Sequence, residues 1–161
     1  MSGDTLLAEA RKFEKNLLNF FWRQGVSLSE GEDLVQETYL RLWKYQADYR
    51  PTAKLSTFLF LLARQVRIDA LRRQTRRENR EEGWIREQPT IQAPAYDCRE
   101  DVRWAVARLS DPLREVVELG VFQDLPYAEV AEILGIPVGT VKSRMHNALK
   151  QLKEIFDERR P

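Results

Sequence analysis

Apolar residues recur at intervals of three and four along both ends of this 161-residue chain, and between residues 88 and 97 the recurrence stops. Such spacing lays an apolar stripe along a helix and does not fit the two-residue alternation of a half-buried strand. Leu6, Leu7, Ala10, Phe13, Leu17, Phe20 and Phe21 mark a first helix, ended by Gly25. Ser29 and Glu32 have the spacing of a capping box, and Leu34, Val35, Thr38 and Leu42 carry a second helix to about Gln46. Pro51 disfavours helix at Arg50 and breaks that run. Ser56 or Thr57 can cap a third helix, with Phe58, Leu59, Leu62, Ala63, Val66 and Ala70 facing inward and Arg80 near its end. Pro89 and Pro94 fall in the aperiodic stretch, so residues 81–99 read as a flexible linker between a domain at 1–80 and another at 100–161. In the second domain, Val102, Ala105, Val106 and Leu109 form one helix. Asp111 and Pro112 start the next, where the missing proline N–H costs nothing. Pro126 begins a third, and Gly135, Ile136 and Pro137 separate it from the last. The expected fold is all-α, two small helical bundles on a tether. Area alone stabilises cores of that size only marginally, so partners are expected to help hold either half.

The net charge of +1 conceals a strong local segregation. Residues 64–80 hold seven Arg against Asp69 and Glu78, residues 81–101 carry a net −4, and residues 138–153 have Lys142, Arg144, Lys150 and Lys153 with no acid. Cys98 is the only cysteine and His146 the only histidine, so a disulfide framework, a Cys- or His-based metal site and a Ser-His-Asp mechanism lack their parts. No nucleophile–base pair or Gly-rich phosphate loop is evident, and neither an enzyme nor a cofactor is expected. The N-terminal residues mix acids and bases in a way no signal peptide does. The longest apolar run, residues 58–63, is far too short to span a bilayer. A cytoplasmic protein without membrane insertion is expected.

The most specific local pattern is YAEVAEILGIPVGTVKSRMHNALKQL at residues 127–152. Ala131 is small where two helices cross, Gly135 can take the left-handed conformation of a tight turn, and Val141 packs the second helix on the first. This is the spacing of a helix-turn-helix. Val141, Met145, Ala148, Leu149 and Leu152 are expected to form the buried stripe of the second helix. Thr140, Lys142, Ser143, Arg144, His146, Asn147 and Lys150 are left for DNA. Lys and Arg pair with phosphates or guanine edges, Asn with adenine, and a hydroxyl near the helix N-terminus bonds a phosphate.

A helix-turn-helix by itself fits a transcriptional regulator with an unrelated N-terminal helical domain. The first half argues for something narrower. DLVQETYLRLW at residues 33–43 and STFLFLLARQVRIDALRR at residues 56–73 resemble the second conserved region of bacterial sigma factors. YAEVAEIL at residues 127–134 followed by PVGTVKSR at residues 137–144 resembles their fourth. Both blocks, in this order and joined by a short linker, resemble the extracytoplasmic-function (group 4) sigma factors of the sigma-70 family, over nearly all of residues 5–155.

That resemblance implies an RNA polymerase sigma factor that binds core polymerase and recognises the −10 and −35 elements of promoter DNA. Asp33, Leu34, Gln36, Glu37 and Arg41 would meet the clamp coiled coil of the β′ subunit, with the second domain on the β flap. An apolar Leu34 rimmed by charges suits a helix-on-helix interface. Tyr49, Arg50, Lys54, Leu55 and Ser56 would line a pocket for a flipped −10 base, which needs stacking surfaces and donors. Gln65 stands where many members have Asn and keeps the amide chemistry. Arg64, Arg67, Arg72, Arg73, Arg76 and Arg77 would follow phosphates, and Asp69 reads as a structural or Arg-pairing acid. The resemblance also implies an anti-sigma factor as a partner and a linker that threads near the polymerase active-site cleft. Roughly 19 extended residues reach about 60–70 Å, against promoter elements on the order of 70 Å apart. Trp43 is expected in the core or an interface, Trp84 at the linker's start, and Trp104 packed in the second bundle.

Overall fold

The computed structural model describes residues 2–49, 54–80 and 100–159, and every regular element among them is a helix. Arg50, Trp84, Cys98 and the whole of the expected linker lie outside the described residues. The chain divides into two compact units, Met1–Trp22 with Val26–Gln92 and Arg23–Gly25 with Ala93–Pro161.

In the first unit, the single N-terminal helix expected from periodicity is two, α1 (Gly3–Arg11) and α2 (Glu14–Arg23). The Ser2 side chain caps α1 by accepting from the Thr5 N–H. At the break, the N–H groups of Lys12 and Phe13 donate three residues back, to the Glu9 and Ala10 carbonyls at 3.2 and 3.0 Å. Lys12 keeps helical dihedrals (φ −62°, ψ −20°), so the apolar spacing runs through a break in the hydrogen-bond ladder that it cannot reveal. Gly25, at φ +86°, ends α2 in the left-handed region as expected.

The cap of helix α3 (Leu28–Lys44) lies two residues before the expected one. Ser27 is the N-cap and its hydroxyl accepts from the Glu30 N–H, so Ser27 and Glu30 occupy the spacing assigned to Ser29 and Glu32. One 3₁₀ turn, Gln46–Asp48, follows it. Helix α4 (Leu55–Arg80) also starts early: the Phe58 N–H donates to the Lys54 carbonyl, which places Ser56 and Thr57 inside the first turn rather than at the cap. At 26 residues it is about 39 Å long. Its buried side chains, from Thr57 to Val66, stop before its midpoint. α3 packs along α4, and α1 lies against both. Phe20 of α2 closes edge-on against Phe60 of α4, with ring centroids 5.6 Å apart.

The second unit is built on α8 (Val138–Glu158), which packs against α5 (Glu100–Ala107), α6 (Asp111–Val117) and α7 (Tyr127–Leu134). Ala105, Val106, Leu109, Val116, Val117, Val130, Ile133, Val141, Met145 and Ala148 form its core. The Arg114 guanidinium gathers the carbonyls of Val106, Ala107 and Leu109 at 2.9–3.3 Å, satisfying acceptors that the end of α5 leaves open. An unexpected π turn, Glu118–Phe122, extends α6. Trp104 is 36% exposed rather than packed inside. Its ring carries the Arg108 guanidinium at 3.8 Å and that of Arg159 at 4.2 Å, and Arg159 also pairs with Asp101 at 2.9 Å. The end of α8 is thereby fastened to α5.

Candidate nucleic-acid and partner-binding surfaces

The turn between α7 and α8 is formed by Gly135 at φ +66°, ψ +36°, the left-handed region that an L side chain enters only at a cost. The Ile136 N–H donates to the Ala131 carbonyl at 3.1 Å, closing the end of α7. Pro137 is the N-cap of α8, and its carbonyl accepts from Thr140 and Val141. Ala131 and Val141 are buried where the two helices meet, which is the arrangement read from their spacing.

Along α8, Lys142, Ser143, His146, Asn147 and Lys150 are exposed, while Thr140 and Arg144 are half-buried. The Ser143 hydroxyl donates to the Gly139 carbonyl at 3.1 Å, so it meets other groups as an acceptor. Leu149 departs from expectation, being 49% exposed. Consecutive helical residues stand about 100° apart, and with Ala148 fully buried its neighbour Leu149 is turned off the stripe.

On α3, Asp33 and Gln36 are exposed and Glu37 and Arg41 half-buried. Leu34, expected at the apolar point of an interface, is only 5% exposed and packs in the core of its unit. Leu40 and Trp43 are the apolar residues of α3 that stand well exposed, at 68% and 55%. They stand four and seven residues after Gln36 and continue its stripe. The spacing 33, 36, 40, 43 was the signal for them.

Arg41 is held inside the unit rather than presented. Its Nη2 meets Glu37 at 3.0 Å and Asp69 of α4 at 2.8 Å. Burial works to lower its pKa, but hydrogen bonds donated to the Asp69 and Glu37 carboxylates, with their charge, outweigh it and raise the guanidinium above its ordinary value. Asp69 is therefore an Arg-pairing acid. Glu37 reaches a second cation, Arg73 of α4, at 3.2 Å.

The remaining side chains spread along α4 and the residue just before it. Lys54 and Gln65 are exposed, Leu55, Ser56, Arg64 and Arg67 half-buried, and Arg72, Arg73, Arg76 and Arg77 exposed. The Tyr49 ring leans on Phe58 with centroids 5.7 Å apart.

Comparison with known proteins gives this arrangement its family. Residues 10–77 match the Sigma-70 region 2 family and residues 99–152 match Sigma-70, region 4. The ECF RNA polymerase sigma factor RpoE of Cereibacter sphaeroides is 30% identical over 146 residues, covering 88% of this chain and 81% of that protein. The chain belongs to the extracytoplasmic-function sigma factors. The ECF sigma factor SigL of Mycobacterium tuberculosis is 34% identical over 147 residues, covering 85% and 82%. Among solved structures, the sigma factor RpoE of Bartonella quintana, crystallised with the anti-sigma factor NepR, superposes with a TM-score of 0.74 at 26% identity. That match spans 97% of this sigma factor and 94% of the other chain. Among its described residues no helix is long and apolar enough to cross a membrane.

Proposed function

We propose that this sigma factor binds core RNA polymerase through the α3 stripe of Asp33, Gln36, Leu40 and Trp43 and directs it to promoters. In this reading Leu40 and Trp43 supply the buried centre of a helix-on-helix interface, and Asp33, Gln36 and Glu37 meet a basic partner around it. Tyr49, Arg50, Lys54 and Ser56, with Gln65 further along α4, take the −10 element. Arg64, Arg67, Arg72 and Arg73 follow its backbone. α8 enters the major groove at the −35 element with Thr140, Lys142, Ser143 and Arg144, while His146, Asn147 and Lys150 complete the face. The chain contributes recognition, and the chemistry stays with the polymerase. Bartonella quintana RpoE crystallised in complex with the anti-sigma factor NepR, and an anti-sigma factor covering these same faces in the cytoplasm completes the proposal.

The observation that carries the reading is the exposed face of α8 over residues 138–153, which holds no acid and is set by a left-handed Gly135 turn. The test is to mix the purified protein with core polymerase and genomic fragments and to map new transcript starts. Discrete starts sharing upstream −35 and −10 sequences support the proposal. DNA binding with no polymerase association and no new starts would leave only a DNA-binding regulator.

A further inference from the structure

Glu37 lies beside the proposed docking stripe of α3 and reaches an arginine in the basic half of α4. Its Oε1 accepts from Arg41 at 3.0 Å and its Oε2 from Arg73 at 3.2 Å. The two cations are not equivalent. Arg41 keeps a second, shorter ion pair with Asp69 at 2.8 Å, whereas Glu37 is the carboxylate partner of Arg73 among the described residues. Removing Glu37 from the trio leaves Arg41 paired and sets Arg73 loose. Arg73 lies beside Arg72 and is followed by Arg76 and Arg77, all exposed.

We infer that Glu37 is a positioning residue that holds Arg73 off nucleic acid until a cationic group on the polymerase takes Glu37, which releases Arg73 to a DNA phosphate. The inference rests on the proposed function and deepens it, because it couples the two binding events. Free sigma factor then holds its −10 surface one cation short. Polymerase docking completes the surface through an exchange of ion-pair partners, without a change of fold. The Glu37–Arg73 pair is more than half exposed on the Arg73 side. Exposed pairs of this kind are weak, so the gain on release is a few-fold, with a ceiling of about fivefold. A weak hold is what an exchangeable pair requires.

The test uses the whole chain, fluorescein-labelled oligo(dT) and anisotropy over a salt series, since a phosphate contact does not depend on base sequence. Glu37→Gln keeps the shape of the side chain and should tighten binding by up to about fivefold. The slope of log K against log salt should steepen by about 0.7, one more phosphate contact on a single strand. In an Arg73→Gln background, Glu37→Gln should give no gain. A gain that persists without Arg73 would mean that Glu37 acts as a repelling charge or through Arg41, and would overturn the inference. So would the absence of any gain. Arg72→Gln with Arg76→Gln separates this failure from failure of the proposed function. If that pair weakens binding while Glu37→Gln does nothing, only the coupling falls. If the pair has no effect, α4 is not the DNA-binding helix and both readings fall together.

Discussion

Truncating Leu40 and truncating Leu34 should have opposite consequences, although the two residues lie on the same helix and are chemically identical. Fully burying a leucine side chain is worth about 1.5–3 kcal/mol. Leu40 leaves 68% of its surface uncovered in the free protein. Covering that remainder in an interface is therefore worth about 1–2 kcal/mol, a five- to thirtyfold change in Kd. Leu40→Ala should weaken association with core polymerase by that factor. Its effect on folding should stay within about 0.5 kcal/mol, as for most surface changes. Leu34→Ala removes a residue 5% exposed in the packing between α3 and its neighbours. The cavity left behind should cost about 2–5 kcal/mol of stability. Labelled wild-type protein, displaced from core polymerase by each unlabelled variant, reads the first effect. Amide exchange at Val35, Leu42 and Leu59, all buried in the first unit, reads the second. If Leu40→Ala competes as well as the unaltered protein, the stripe of Asp33, Gln36, Leu40 and Trp43 is not the docking surface. If Leu34→Ala lowers polymerase affinity without speeding exchange, the leucine assignment is reversed.

Asp33→Ala with Gln36→Ala should lower polymerase affinity and leave duplex binding and amide exchange unchanged, because both side chains are exposed. Lys142→Ala should weaken duplex binding almost uniformly across sequences and flatten its salt slope by about 1, whereas Asn147→Ala should cost about 1–3 kcal/mol on the preferred −35 sequence and relax the preference. Neither should alter polymerase association. Gly135→Ala should destabilise the second unit by about 1–2 kcal/mol, because φ +66° is costly for an L side chain although nothing lies near its new methyl. Gly139→Ala, in α8 and equally unobstructed, should stabilise it by about 0.4–1 kcal/mol. Exchange at Val141 and Met145 reads both signs, and equal signs would refute the assigned turn.

Helices were legible in this chain because three-and-four spacing is a local property, and the places where local reading failed share a cause. On α3, Leu34, Val35, Tyr39 and Leu42 are buried while Leu40 and Trp43 are exposed. The apolar residues of α3 thus occupy more than one stripe, and which stripe turns inward is decided by the helices packed against it. The SLSEGE stretch offers Ser27 and Ser29 with an acid three residues on in each case, and only the packed start of α3 selects Ser27. Charge could be located but not its partners. Glu37 and Arg73 lie 36 residues apart, so nothing in their neighbourhoods announces that they meet.

Helix α4 shows where a local rule is broken for a reason. Its buried side chains end at Val66, so the remaining turns gain little from the core of their unit. Those turns set Arg72 four residues before Arg76, Arg73 before Arg77, and Arg76 before Arg80. Like charges at that spacing each cost a few tenths of a kcal/mol. Against them stand the Gln74–Glu78 hydrogen bond at 3.2 Å and the Glu37–Arg73 pair, both on the surface. A sequence selected for stability alone would alternate charges here. In the proposed function, a helix with this repulsion would have its stability linked to its DNA affinity. Phosphates aligned along residues 72–80 would remove the like-charge cost and fill the donors together. The same segment should therefore be the least protected helical stretch of the first unit in the free protein, and the one most protected when single-stranded DNA is added.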